Sequence, residues 1–441
     1  MAQPDRSEAS ETLQAVGETA VAESGVPLSR DSLVRAVLER NRSLEEARQT
    51  WLTVGERVLQ STSLGDPTVS YSLAPLSVGT SDARFGQVVR FGQRFPYPGK
   101  RRLAGVAAEE EVEVSRLSFE ALRLELAMLA SQLFDEYYYV QRALEINAEH
   151  IELLADFQRI AIAQYKAGTA AQQDPIQAEV GLAHLRHRTI VLQTRRDTLR
   201  SKINALQHRA PEEPLPLPPA ALPLPSMEEV EAGEMQDKAL THRPELGAAT
   251  AKIRAREADL ALRKLEFRPD FQAMASFNSM WNESDHRWMV GAGINIPLNR
   301  DRVRASVAET EAHLAGAVAG RQALEDTIRS EVQQAYDRLE EARHVLELYE
   351  SRLLPATKDQ VHAALAGFRA SRNSFLALIE AERNQRNVRL EYERALADAW
   401  QRRAALDRLM GRFPGASRPP EEAAIGEDQA ASPAPQSGDS R

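Results

Sequence analysis

The sequence predicts a mainly α chain with a small β part, built as a duplicated unit of helix, two strands and a long helical hairpin. Three observations carry this. Asn41-Arg42-Ser43-Leu44 opens a helical stretch ending at Asp66-Pro67, and Arg243-Pro244-Glu245-Leu246 opens another ending at Arg268-Pro269. The offset is 202 positions at both Leu44/Leu246 and Pro67/Pro269. After each proline come two short segments of alternating apolar and polar residues, and after those a helical run much longer than ordinary globular helices.

Composition narrows the function classes. The 441 residues include only 22 glycines, 6% aromatics and 27% charged residues, a profile of extended helices with solvated faces rather than of a compact enzyme. A net charge of −9 argues against nucleic acid as a partner. The absence of cysteine removes disulfides, thiolate metal sites and thiol nucleophiles. No segment reaches the ~20 apolar residues of a membrane helix, and Met1 to Glu23 shows no apolar signal-peptide core. Residues 1–27 and 412–441 read as disordered tails, and 210–226 (APEEPLPLPPAALPLP from Ala210 to Pro225) as an extended Pro-rich connector. The first repeat is then 28–209 and the second 227–411.

In the first repeat, Leu33, Val37, Leu44, Ala47, Trp51, Val54 and Val58 recur at helical spacing. Strands follow at about 67–75, where Val69, Tyr71 and Leu73 alternate with serines, and at about 84–96. In the latter, Phe85, Val89, Phe91 and Phe95 share one face with two glutamines, while Arg84, Gly86, Arg90, Gly92 and Arg94 occupy the other. The second repeat has strands at about 269–281 (Phe271, Ala273, Ala275, Phe277) and 286–297 (Trp288, Val290, Ala292, Ile294, Ile296). Segments of ten residues with one apolar face fit a sheet packed on protein, the commoner case, and also a transmembrane strand. Tyr71, Phe95, Tyr97, Trp281 and Trp288 near the strand ends favour the membrane, where aromatics gather at interfaces.

The first hairpin is expected at about 101–208. Its outgoing helix has no proline over some 67 residues, on the order of 100 Å, turns at Gly168-Thr169-Ala170 and restarts at Asp174-Pro175. The second hairpin is expected at about 302–410, with Pro355 bending or breaking its outgoing helix. The first outgoing helix bears two stripes: Val114, Leu117, Ala121, Leu124 and Met128, and Phe119, Leu122, Leu126, Leu129 and Leu133. They lie about 150° apart, so the helix has a neighbour on each flank. Four strands per chain leave two open edges, untenable in lipid. Strands in a membrane therefore require several copies: two would supply eight strands and a filled barrel, three would supply twelve and a pore.

The strand-end run Phe95-Pro96-Tyr97-Pro98-Gly99-Lys100-Arg101, the tip Tyr165-Lys166-Ala167-Gly168, Ala36 to Leu44 and Arg243-Pro244-Glu245-Leu246, in this duplicated order from about Leu28 to Gly411, resemble the outer-membrane efflux (TolC-like) proteins. The Phe-Pro-Tyr-Pro-Gly-Lys run is similar to the heavy-metal (cation) efflux branch. The resemblance implies a homotrimer in the bacterial outer membrane, with a 12-stranded β-barrel continuing into a 12-helix periplasmic α-barrel. It also implies outer-membrane lipid around the strands, and docking to a periplasmic membrane-fusion adaptor and an inner-membrane transporter, foremost of the RND type. The function implied is passive efflux through a tripartite pump, not enzymatic, with no cofactor. Type I protein secretion, or a soluble coiled-coil scaffold, are the alternatives.

By the same resemblance the periplasmic gate maps onto Asp174 and Gln177 in the first repeat and Glu380 in the second. Tyr165, Gly168, Thr169, Phe368, Ser371 and Arg372 become candidate tip contacts with the adaptor. Threefold symmetry would make each acid a ring of three carboxylates, favouring cations. Read by residue type alone, Asp174 is also a plausible N-cap before Pro175. His184/His187 and the Glu341-x-x-His344 spacing read as surface side chains, since a di-iron bundle needs that motif twice. Met274, Met280 and Met289 read as packing rather than a copper relay.

Overall fold

The computed structural model of the chain describes residues 27–74, 86–225, 231–281, 284–370 and 372–414. The tails expected at 1–27 and 412–441 fall almost wholly outside the described residues, as do Arg84 and Phe85 of the expected second strand and Ser371 of the second tip. Two compact units emerge, and they cut across the repeats: one comprises residues up to Arg42, Arg123–His242 and from Ser330, the other Ser43–Leu122 and Arg243–Arg329.

The elements, in chain order, are α1 (Arg30–Arg40), α2 (Arg42–Thr62), β1 (Thr68–Leu73), β2 (Gln87–Phe95), α3 (Lys100–Lys166), α4 (Gln173–Leu206), α5 (Ala232–His242), α6 (Pro244–Lys264), β3 (Asp270–Asn278), β4 (Trp288–Asn295), α7 (Arg300–Leu348), α8 (Leu354–Arg369) and α9 (Phe375–Leu409). Local chemistry accounts for several boundaries. Ser29 caps α1 in a reciprocal capping box with Ser32. Pro244 sits in the first turn of α6, where its missing N–H costs nothing. Between α7 and α8 lies a π-helical turn, Tyr349–Leu353, immediately before Pro355. The ring of Pro355 would clash with the preceding helical turn, and a wide turn of this kind absorbs it.

The second unit is organised by one four-stranded antiparallel sheet in the order β1-β2-β3-β4. Its central pairing joins the repeats: Phe91 lies opposite Ala275 and Phe95 opposite Phe271. Strand β1 pairs only with β2 and β4 only with β3, so among the described residues both outer edges lack a neighbour. Around the sheet, α2, α6 and the adjoining parts of α3 and α7 pack through small contacts. Trp51 lies 6.0 Å from Phe119, and a Cβ on Gly247 would come within 3.0 Å of Leu117.

The first unit is a run of helices side by side. Helix α3 meets α4 through Asn147, whose Nδ2 donates to the Leu185 carbonyl and to Thr189 Oγ1. On another flank α3 meets α9 through Tyr138 and Glu393. Helix α9 in turn meets α7 in a cluster of Ala342, Leu346, Leu396 and Ala399. The long helix thus has a neighbour on two flanks at Tyr138 and Asn147, beyond the striped stretch 114–133. Beyond α4, the connector lies extended, with the Trp400 indole donating to the Pro223 carbonyl at 2.9 Å and the Leu28 amide to the Leu217 carbonyl at 2.9 Å.

Candidate functional site: an exposed sheet and two hairpin turns

Alternation along each strand and the cross-strand register together define the two faces of the sheet. One face carries Val69, Tyr71 and Leu73, then Val89, Phe91 and Phe95 with Gln87 and Gln93 between and beside them, then Phe271, Ala273, Ala275 and Phe277, then Trp288, Val290, Ala292 and Ile294. The other carries Thr68, Ser70, Ser72, Arg90, Gly92, Arg94, Asp270, Gln272, Ser276, Asn278, Gly291, Gly293 and Asn295, with Val88, Met274 and Met289 as its apolar members. The apolar face is bare. Val290 is 91% exposed, Val69 71%, Trp288 69% and Ile294 59%. Each such side chain is worth roughly 1.5–3 kcal/mol when removed from water, and a continuous patch of this extent marks a face meant for another apolar phase.

At one end of the sheet Asp270 organises the polar side. Its carboxylate accepts from Arg94 Nη2 at 2.6 Å, Lys100 Nζ at 2.8 Å and the Tyr97 amide at 2.9 Å. These bonds tie the start of β3 to the end of β2 and the start of α3. The Phe95–Lys100 run thereby acquires a shape, turning at Gly99 with φ +96°, which L side chains rarely adopt.

The first hairpin tip closes as a Schellman motif. The Thr169 amide and hydroxyl both bond the Gln164 carbonyl, the Gly168 amide bonds the Tyr165 carbonyl, and Gly168 has φ +75°. Tyr165 is 45% exposed and Thr169 is exposed. The second tip uses the equivalent long bond, from the Arg372 amide to the Gly367 carbonyl at 2.8 Å. Its aromatic behaves oppositely. Phe368 is only 4% exposed and packs against Phe375 at 5.3 Å, inside a cluster with Leu378, Val361 and Leu182. As a surface contact, Phe368 is therefore a correction: a phenyl ring without the tyrosine hydroxyl is driven into the apolar tip. Arg372 stays exposed.

The gate candidates lie in the first turns after the tips. Asp174 and Gln177 are half-buried in α4, and Gln177 Oε1 is buried with no hydrogen-bond partner. The N-cap reading of Asp174 fails: the helix already starts at Gln173, and its cap, Gln172, makes no side-chain bond. Glu380 is exposed in α9, whose cap is Ser374 accepting from the Ala377 amide. The structure does not bring Asp174 and Glu380 into contact within one chain.

Several buried polar groups of the first unit escaped the sequence reading. His150 Nδ1 lies 2.6 Å from Glu382 Oε1, both side chains being almost fully enclosed. Tyr138 and Arg142 both bond Glu393. Asp135 is wholly buried and pairs with Arg30, whose guanidinium stacks over Trp400 at 4.0 Å. Burial pushes the Asp135 carboxyl up to about 7, against the opposing pull of Arg30. The available signal was weak: Glu382 and Glu393 each sit beside an apolar seam residue, Ala381 and Tyr392.

Among the described residues, no group of three or more His, Asp or Glu side chains is placed to hold a metal ion. Glu341 is taken by Arg402 at 3.0 Å. No described helix is long and apolar enough to cross a membrane, which leaves the sheet as the apolar surface to be explained.

Comparison with known proteins agrees with this architecture. Residues 235–412 match the family model described as outer membrane efflux protein. The cobalt-zinc-cadmium resistance protein CzcC of Cupriavidus metallidurans is 21% identical over 401 residues, covering 88% of this chain and 91% of CzcC. CusC, described for conformational changes accompanying folding and transmembrane channel formation, superposes with a TM-score of 0.76 at 16% identity, over 89% of this chain and 95% of that one. The outer-membrane channel OprN gives 0.72 at 20% identity, over 87% and 89%. VceC of Vibrio cholerae gives 0.72 at 17%, over 87% and 96%. The duplicated hairpins and the sheet shared between the repeats thus recur in these solved channels over nearly nine-tenths of the chain, and residues 235–412 resemble the outer membrane efflux proteins in sequence.

Proposed function

We propose that three copies of the chain close a tunnel through the bacterial outer membrane, serving as the exit duct of a tripartite efflux system. Four strands per copy give a 12-stranded barrel, and two hairpins per copy give a 12-helix periplasmic barrel. One observation carries the reading: a four-stranded sheet with a bare apolar face, a polar opposite face and two open edges. In water, such a sheet exposes both apolar area and unpaired backbone. In lipid, closing the edges with identical neighbours satisfies every backbone group, the apolar face meets acyl chains and the polar face lines a wet lumen.

The duct performs no bond chemistry; passage depends on bore and charge. Asp174 and Glu380 would stand in rings of three near the closed end, with Gln177 beside Asp174, and such rings favour cations. Tyr165, Thr169 and Arg372, exposed at the two turns, are the surface offered to a periplasmic membrane-fusion adaptor, with an RND-type inner-membrane transporter behind it. The likeness to CzcC and the Phe95–Lys100 run support divalent heavy-metal cations as cargo. Deleting the gene should raise sensitivity to cobalt, zinc and cadmium, and the intact gene should restore resistance. Unchanged metal sensitivity with raised drug sensitivity would remove the metal assignment and keep the duct. In planar bilayers, D174N and E380Q should each lower the cation-to-anion permeability ratio; an unchanged ratio would remove the gate assignment.

A further inference from the structure

The apolar face of the sheet does not fade into solvent at its helix-side end. It runs into a groove of about 480 Å³ lined by Phe267, Pro269, Ile296, Pro297, Arg300 and Arg304. Pro269 continues the alternation of Phe271 and Ala273, and Ile296 that of Ile294 and Ala292, so two walls of the groove extend the apolar face. The third wall is basic. Arg300 and Arg304 are one turn apart at the start of α7 and project from one side of it.

Their charge is scarcely compensated within the chain. Arg300 has no carboxylate partner among the described residues, and Arg304 holds only Asp301 at 3.1 Å, a pair open to solvent and therefore weak. The corresponding stretch of the first repeat is engaged instead: Lys100 bonds Asp270, and Arg101 Nε donates to the Thr62 carbonyl at 2.7 Å. The basic residues of the second repeat are thus left for a ligand from outside. That ligand must present apolar chains to Ile296, Phe267 and the exposed strand face, and an anion to the guanidiniums of Arg300 and Arg304 beside them.

We propose that this groove is a binding site for an anionic phospholipid of the periplasmic leaflet, its phosphate held by Arg300 and Arg304 and its acyl chains lying along Ile294, Ile296 and Phe267. The proposal rests on the lipid-facing reading of the sheet. An arginine at a membrane surface strengthens the hold on anionic lipid by about fivefold, and guanidinium suits phosphate in a bidentate grip. The site would fix the depth of the sheet in the bilayer at its helix-side rim.

The test uses the full chain extracted in detergent and transferred into nanodiscs of phosphatidylcholine with a minor fraction of phosphatidylglycerol, with retained lipid counted by native mass spectrometry. The expected result is preferential retention of phosphatidylglycerol, lowered about 30-fold in R300Q/R304Q. R90Q, which removes one charge as R304Q alone does but on the opposite face, should leave the preference intact, and R300K/R304K should lie between. Should the double variant fail to assemble, R304Q alone, whose only partner is a surface aspartate, should lose about fivefold. No preference in the parent chain, a preference indifferent to both arginines, or full displacement by inorganic phosphate would each overturn the lipid site. Failure of the underlying channel reading looks different: parent and variants alike would remain in water without detergent and enter no nanodisc.

Discussion

Replacing Val290 by lysine separates a lipid-facing sheet from a water-facing one. Val290 is 91% exposed in the single chain and pairs with Ala275 in the middle of β4, between Trp288 and Ala292 on the apolar face. If that face meets water, a fully exposed surface substitution changes stability by no more than about 0.5 kcal/mol, and added charge favours solubility. If it meets the middle of a bilayer, lysine costs about 2–4 kcal/mol per copy. Three copies would then lose on the order of 6–12 kcal/mol together, enough to depopulate the assembled form. The assay is denaturant unfolding of protein reconstituted in vesicles, with the heat-sensitive oligomer band as a second readout. V290T, which leaves no charge in lipid, should cost far less than V290K. Equal stability of V290K and the parent in vesicles would refute the lipid-facing assignment.

Further outcomes follow from other parts of the chain. Removing either partner of the His150–Glu382 pair strands a buried polar group, so H150A and E382A should each cost about 1–3 kcal/mol, with the double variant costing less than the sum in thermal unfolding. The Asp135 carboxyl sits at about 7 in the folded chain and near 4 when unfolded, so the folded state holds the extra proton. Its contribution should therefore fall as pH rises from about 4 to 7, by on the order of 4 kcal/mol, and D135N should flatten that slope in unfolding titrations. G168A places a side chain at φ +75° and should destabilise the first tip by about 1 kcal/mol, read as faster amide exchange at Thr169. G55A, in a helix with open space at that position, should not speed exchange there.

Much of the architecture could be read before any coordinates, because it rests on periodicity. Alternation at Phe271–Phe277 and Trp288–Ile294 needs only a count of two, and the stripes on α3 need only a count near 3.6. What periodicity omits is who lies alongside whom. Nothing local to Phe91 announces Ala275 as its partner, so the pairing of β2 with β3, and the role of Asp270 in clamping both, emerged only in three dimensions. Single-residue chemistry at the turns also escaped. Phe368 stands where the first repeat has Tyr165, but loss of one hydroxyl sends the ring inward. Asp174 is followed by a proline, but the helix begins one residue before it. Buried pairs such as Arg30–Asp135 join residues a hundred positions apart, and a charge at the rim of an apolar seam looks the same whether solvated or enclosed. Pro355 did mark a disturbance, while the five-residue wide turn that accommodates it just upstream is a geometry that composition does not specify.

Disulfide trapping tests most directly whether neighbouring copies close the open edges of β1 and β4. The chain has no cysteine, so a pair introduced at Tyr71 and Val290 reports on itself alone. Within one copy, β1 and β4 are three strand spacings apart, about 14 Å, well beyond disulfide reach. Oxidation of Y71C/V290C and its one-step register neighbours, performed in membranes, should give a covalent trimer that dissociates on reduction. Exclusively monomeric chains across the whole register series, in protein that still folds, would contradict closure by neighbouring copies.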